Sequence, residues 1–423
     1  MKTYLSKLLV LLLVLLLIGC TDENTKEIKI TDEYGGTKPV VIATLIPEFE
    51  SYIQDTYAKF YGSEITTKSI LTSVEEVNEH WSDLDVVIEE FLNDNQDVDL
   101  IYAVSPEYLN ALIEKGALKN LSEELDESIT SKLAPVFTDP MKQIGDGNLY
   151  AIASSFTNHA LVYNKEIFKE VGVQEPKSGM TWEEISDLAA QIRSKSNYEG
   201  FALEFPSDDE QYYYYFQQNI ISVGNYEKNK EKAILNTETN RKYWPLFANM
   251  YKDNAKVTGE DFVKGNVAMG VFELNIFLDD SFVGTFGELN KSQWGLVAMP
   301  ITPENPGSIM FSEEIFAMSK YSNNKEAVKF LESIHGKEFA KILVENSLLP
   351  TYFDINIKQQ LQDKYGYDLT PVYIQPGIVY DQPQFNGTEY NVIKNTGAEY
   401  FLKYLNGDED INKILTEYEN AVN

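Results

Sequence analysis

The chain has 423 residues, with 66 acidic against 35 basic side chains and a formal net charge of −31. Its only arginines are Arg193 and Arg241. A surface that tracks phosphates needs clustered lysine and arginine, so these numbers exclude nucleic acid as a partner. The length allows two substantial cores rather than one, and the single cysteine, Cys20, leaves no internal disulfide to staple either.

Lys2 and Lys7 precede an unbroken run of Leu, Val and Ile over residues 8–18, followed by Gly19 and Cys20. That run has the length of a signal-peptide apolar region and is too short for a membrane span of about 20 residues. The sequence Leu17-Ile18-Gly19-Cys20 resembles the bacterial lipobox. The resemblance implies removal of residues 1–19, a diacylglyceryl group and an acyl chain such as palmitate on Cys20, and membrane attachment through lipid. Residues 20–39 carry no apolar periodicity and are rich in turn formers, as a flexible tether is.

"PVVIATLIPEF" predicts a short strand and a Pro-containing loop. Phe49, Ile53, Tyr57 and Phe60 then share one helical face. The apolar run of residues 98–104 predicts a strand covered on both faces. Ser105 follows as a helix N-cap with Pro106 at the first helical position, and Gly116 as a stop. Strands and helices continue to alternate through "LYAIASS" and "ALVYNKEIFKEVGV", an α/β pattern. In "SGMTWEEISDLAAQI", Thr181 and Glu184 predict a capping box, with Trp182 as a packing residue in the first turn. In "SDDEQYYYYFQQNI", Tyr212, Tyr215 and Phe216 share a face with Asn219; most of this stripe is expected to be core, with Tyr212 nearest a ligand cleft.

The motifs of the common enzyme classes do not occur. There is no Gly-x-Ser-x-Gly, no His-Glu-x-x-His and no phosphate-binding Gly-Lys loop. "GDGNLY" lacks the third glycine of a dinucleotide turn, and the three histidines, His80, His159 and His335, are scattered. No cofactor and no metal are expected.

Several segments resemble the family 1 extracellular solute-binding proteins of ABC importers, in the family's order. They are Asp146-Gly147 with Leu149-Tyr150, then Tyr163-Asn164-Lys165, Phe168, Gly172, Pro176 and Thr181-Trp182-Glu183-Glu184. Phe262, Gly265, Ala268 and Met269 follow, then "WGLVAMP", "NNKEAVKFLESIHGKEF" and "LLPTY". The resemblance implies two hinged α/β lobes of the periplasmic-binding-protein type II fold, each with a mostly parallel sheet, and a ligand held between them. Residues 40–155 and 301–338 would form the first lobe, and 156–300 and 339–423 the second. It further implies capture of a small solute, carbohydrate in type, by a monomeric lipoprotein on the extracellular face of the membrane, and delivery to ABC permease subunits, without catalysis. A lipid-anchored carbohydrate hydrolase and a ligand sensor for a membrane kinase are the alternatives.

Ligands of open α/β sheets collect at the carboxyl ends of strands. The loops after predicted strands, the last of them over residues 311–314, therefore supply the expected ligand-binding residues Glu48, Phe49, Ser105, Phe156, Asn158, Phe205, Glu273, Phe311, Ser312 and Glu313, and Tyr212 joins them from its aromatic helical stripe. Carboxylates accept sugar hydroxyls or an amine. Glu273 and Glu313 stand where the family often has a Trp and a Gly pair, and are expected to reach the ligand from opposite sides. The alternative is that each is a solvated loop acid.

Overall fold

In a computed structural model the described residues are 38–62, 64–80, 83–102, 106–203, 213, 225–227, 232–254, 257, 261–262, 264–274, 278, 293–302, 307–312, 314–378, 387–407 and 410–423. Residues 1–37, which hold the expected signal segment, Cys20 and most of the expected tether, lie outside them. None of the described helices is long and apolar enough to cross a membrane.

Fourteen strands are described. They are β1 (Val40–Thr44), β2 (Ile65–Ser69), β3 (Leu100–Tyr102), β4 (Ala151–Ala153), β5 (Ser155–Asn164), β6 (Glu199–Leu203), β7 (Asn225–Glu227), β8 (Lys232–Ile234), β9 (Val267–Glu273), β10 (Trp294–Ala298), β11 (Ser308–Phe311), β12 (Ile315–Met318), β13 (Leu349–Pro350) and β14 (Gly377–Ile378). The first sheet has the order β2-β1-β3-β12-β4. The second has the order β14-β11-β5-β9-β6, with β10 and β13 also paired to β5, and β7 and β8 form a separate hairpin.

In the first sheet β1 runs parallel to β2 and β3, as the resemblance implied, while β12 is antiparallel to β3 and to β4. The second sheet is mixed rather than mostly parallel. Its long central strand β5 is antiparallel to β9, β10, β11 and β13. The cause is the crossing at Ser154. The chain leaves β4 at the carboxyl edge of the first sheet and enters the second sheet from the edge where its other strands end.

Two clusters of buried side chains hold these layers. The first covers β1, β3, β4 and β12 with Tyr57, Phe316 and Phe330, and continues onto one face of β5 and β9 through Phe156, Ala160 and Phe272. The second covers the other face with Leu161, Tyr163, Met269 and Val271 under Trp182, Trp244 and Phe401. Alternation along β5 makes this division: even residues face the first cluster and odd residues the second. Rings meet edge-on at Tyr57–Phe316 (5.2 Å) and Trp182–Phe247 (5.1 Å), contacts worth about 0.5–1.5 kcal/mol each beyond the area they bury. Gly200 lets a helix lie against β6: a Cβ there would stand 2.4 Å from the Ala189 carbonyl oxygen.

The expected boundary at residue 338 does not coincide with a change of core. Phe339 packs on Tyr57 and Phe60 of the first sheet's helical layer at 5.5 and 4.9 Å. The second cluster takes up the chain again from Ile393.

Candidate functional site

The register places every strand end that matters on one edge. β1, β2, β3 and β4 all finish at the edge where β12 begins. In the second sheet β5 begins at that edge, and β6, β9, β10 and β11 finish there, with Glu273 opposite His159 and Phe311 opposite Thr157. Both sheets therefore turn their carboxyl ends toward the crossovers at Ser154 and at residues 312–314, the position at which α/β sheets hold ligands.

The first sheet supplies an aromatic shelf at this edge. Pro47 starts the helix Glu48–Tyr52, which sets Phe49 and Tyr52 beside Tyr102 at the end of β3. Phe49 meets Tyr102 edge-on at 5.7 Å, and Tyr52 stacks on it at 6.2 Å. Phe49 and Tyr52 are half-buried, Tyr102 is buried and Glu48 is exposed. Glu50, one residue on from Phe49, accepts hydroxyl hydrogen bonds from Ser69 at 2.5 Å and Thr67 at 3.1 Å.

Behind the shelf lies a second carboxylate. Glu314 accepts from Ser154 at 2.8 Å, from Ser155 at 2.5 Å and from the Tyr52 hydroxyl. The Tyr57 hydroxyl meets Ser154 Oγ at 3.1 Å. Burial first, and then the Glu314 charge, push the Tyr57 phenol well above its usual pKa, which keeps it neutral. Ser312 donates to the Ser155 carbonyl at 2.8 Å and ties one crossover to the other.

The expected ligand residues divide as follows. Glu48, Phe49, Glu273, Phe311 and Ser312 come to the common edge. Phe156 is there but buried, edge-on to Tyr373 at 5.1 Å, which makes it a packing residue. Asn158 is fully buried on β5, with neither amide atom hydrogen-bonded. Beside it, desolvation of the His159 imidazole lowers its pKa to about 4, so the ring is neutral at pH 7. Ser105, Phe205, Tyr212 and Glu313 lie outside the described residues.

Sequence reading missed Tyr52, Tyr102, Glu50, Ser154 and Ser155, and from the expected loop over residues 311–314 it singled out Glu313 and not Glu314. Tyr52 carried a usable signal, since it sits three residues after Phe49 and so shares its helical face. Nothing local marked Glu314: its carboxylate meets Ser154 and Ser155 only through the register of β12 against β4.

Among the described residues no group of three His, Cys, Asp and Glu side chains could hold a metal. An open pocket of about 750 Å³ is lined by Glu170, Tyr198, Glu199 and Asp261 among others. It lies where β6 and β9 begin, one strand length of about 20 Å from the crossover edge. Tyr198 already donates to Glu170 there at 2.9 Å. We place the site at the crossovers because the strand ends and hydrogen-bonding carboxylates converge there.

Comparison with known proteins bears on this geometry. A binding protein of Brucella abortus is 24% identical over 301 residues, which are 66% of this chain and 69% of the relative. A family 1 extracellular solute-binding protein of Alicyclobacillus acidocaldarius shares the fold with a TM-score of 0.62 at 14% identity, over 92% of this chain and 98% of that one. The sugar-binding protein of Xanthomonas citri does so with a TM-score of 0.61 at 14% identity, over 91% and 96%. The fold is that of the two-lobe periplasmic binding proteins. The family model of bacterial extracellular solute-binding proteins matches residues 47–344, and the chain belongs to that family.

Proposed function

We propose that the protein is a lipid-anchored carrier on the outer face of a bacterial cell membrane, which captures a sugar or oligosaccharide between two lobes and hands it to the permease subunits of an ABC importer. One arrangement carries the reading: half-buried Phe49 and Tyr52 beside Tyr102, flanked by the Glu50 carboxylate and braced from behind by Glu314, at the edge where both sheets end their strands. A sugar offers an apolar C–H face and a rim of hydroxyls. Aromatic faces take the first, and carboxylate oxygens take the second through charge-assisted hydrogen bonds. Glu273, at the end of β9, would supply a carboxylate from the opposite side, and Phe205, Tyr212 and Glu313 complete the expected set. The sugar-binding protein of Xanthomonas citri, which shares the fold, supports the ligand class.

In this reading the first lobe comprises β1–β4 and β12 with the helices that precede β4 and those over residues 325–374, and the second comprises β5–β11 with the helices over residues 165–254 and 387–422. The carrier acts as a monomer and changes no bond in its cargo. Acyl chains on Cys20 keep it at the membrane, where the permease is.

A thermal-melting panel of neutral oligosaccharides tests the capture, with calorimetric titration of the best of them. One of these should raise Tm in step with its excess over Kd and bind with a Kd of roughly micromolar or tighter. Turnover of a glycoside in proportion to protein concentration would replace the carrier with a hydrolase. Acyl labelling of cells producing Cys20→Ala tests the anchor, which labelling at the parent's level would rule out.

A further inference from the structure

The Glu314 carboxylate is unusual in what it gathers. Its three donors come from two segments far apart in the chain: the adjacent Ser154 and Ser155 at the crossing into β5, and Tyr52 at the end of the shelf helix. Ser154 and Ser155 converge on one carboxylate oxygen and Tyr52 takes the other. The Glu314 backbone N–H donates to Ser312 Oγ at 3.3 Å, and Ser312 in turn donates to the Ser155 carbonyl. A third crossing is tied to the same point, since the Thr351 backbone N–H donates to the Ser154 carbonyl at 2.9 Å. One side chain thus joins the strand crossings to a ring of the aromatic shelf.

The local helix geometry is arranged for this. Residues Ile53–Ala58 form a π-helical turn directly after Tyr52. On an α-helix of 3.6 residues per turn, Tyr52 and Tyr57 would point about 140° apart. A π turn bonds residue i to i+5 and brings residues five apart onto one side. Here the two rings lie 6.0 Å apart, and both hydroxyls reach the Ser154–Glu314 pair.

We propose that Glu314 is a positioning residue that locks Tyr52 to the crossovers, so that contact of a solute with the Tyr52 ring is transmitted to the hinge between the sheets. The proposal rests on the solute-capture reading for its ligand arm, but the lock itself exists without ligand. A ligand can shift an open–closed equilibrium only through contacts that differ between the two states. Tyr52 is suited to supply one, because its hydroxyl is held at the hinge while its half-buried ring borders the cleft.

The full-length protein in detergent, spin-labelled through Glu90→Cys on the first sheet's outer helix and Gln191→Cys on the second's, reads the hinge as an interlabel distance distribution. Both positions are exposed, and Cys20 is the only native cysteine. Without ligand, Glu314→Gln should shift or broaden the distribution, because an amide has one acceptor oxygen for three donors. Tyr52→Phe removes a single hydroxyl and should move it in the same direction by less. The double variant should differ from Glu314→Gln by less than Tyr52→Phe differs from the parent, since the two share one interaction. For a solute that closes the parent, both variants should weaken Kd about tenfold.

Unchanged distributions in both variants would overturn the lock. So would a loss of affinity in Glu314→Gln with a parental distribution, which would make Glu314 a direct ligand acceptor. If Glu314→Gln does not fold, the Tyr52→Phe distribution decides alone. If no sugar binds the parent, the capture reading fails while the ligand-free distances still test the lock.

Discussion

Asn158 spends stability. Its amide is fully buried and unpartnered on a strand whose neighbours Phe156 and Ala160 pack into the same apolar cluster. An unsatisfied buried polar group costs about 1–3 kcal/mol, and an apolar replacement of similar shape removes that cost. Asn158→Leu should therefore raise stability by about 1–3 kcal/mol in urea titration, whereas a loss would mean that the amide has a partner. His335 makes the opposite kind of demand. It is buried, with Nδ1 against the Leu331 carbonyl at 2.6 Å, and desolvation lowers its pKa to about 4. An unfolded histidine titrates near 6.5. Between those values the unfolded chain binds a proton that the folded chain refuses, so the stability present above about pH 6.5 is lost as pH falls toward 4. By pH 5 the loss should reach ~2 kcal/mol relative to pH 7. Urea titrations of the parent and of His335→Leu at both pH values measure it: the variant should lose less on acidification, and equal losses would contradict the assignment. Neither feature was legible in the sequence, where His335 was one of three scattered histidines and Asn158 was expected to bind ligand from a loop rather than to lie buried on β5. Burial is decided by segments far away in the chain.

Elements whose determinants are local were readable, and the capping box shows why. Thr181 accepts from the Glu184 backbone N–H at 3.3 Å, and Glu184 accepts from the Thr181 N–H at 2.8 Å, across a single turn. Trp182 is fully buried between Phe201 and Phe247, the packing role its position predicts. Gly116 stops its helix with a φ of 61°, as a left-handed stop requires. By contrast, the apolar run 98–104 is described as strand only over Leu100–Tyr102. The π turn at Ile53–Ala58 left no sequence mark, because Phe49, Ile53, Tyr57 and Phe60 satisfy an ordinary helical spacing. Tertiary demand, here the reach of two tyrosines to the crossovers, selected the wider turn. Thr181→Ala should cost about 1 kcal/mol. Trp182 and Trp244 are buried in the same core, so a shift of the urea midpoint followed by tryptophan fluorescence reads the cost. A midpoint equal to the parent's would mean that water serves the helix end as well as the hydroxyl does.

At the scale of the molecule, sequence periodicity distinguishes α/β from other classes but does not say which strand lies beside which. The pairings of β5 with four other strands join residues up to about two hundred positions apart, and only the resemblance anticipated a crossing there. Charge, however, is a whole-molecule quantity that sequence gives directly, and it bears on the cargo. The chain carries a net charge of −31 and two arginines, on the helices Trp182–Lys195 and Glu238–Asn254. Arg241 is engaged with Asn236, its guanidinium donating to the carbonyl and the side-chain oxygen at 2.8 Å each. At the crossover edge the Glu50 and Glu314 carboxylates are met by hydroxyls, which orient around a negative charge without cancelling it. An anionic solute entering between the sheets would face like charges that, among the described residues, hydroxyls and no cations meet. At about 5 Å in a largely aqueous cleft each such pair costs about 1 kcal/mol, so two of them make roughly a tenfold to hundredfold difference in Kd. A neutral oligosaccharide that binds should therefore be preferred at least tenfold over the same sugar carrying a uronate. The Debye length shrinks from about 30 Å at 0.01 M salt to about 3 Å at 1 M, so the preference should narrow as salt rises while the neutral sugar's Kd stays nearly constant. Calorimetric titration of the matched pair at low and high salt measures both trends, and a uronate that binds as tightly as its neutral partner at low salt would show that a cation stands in the cleft.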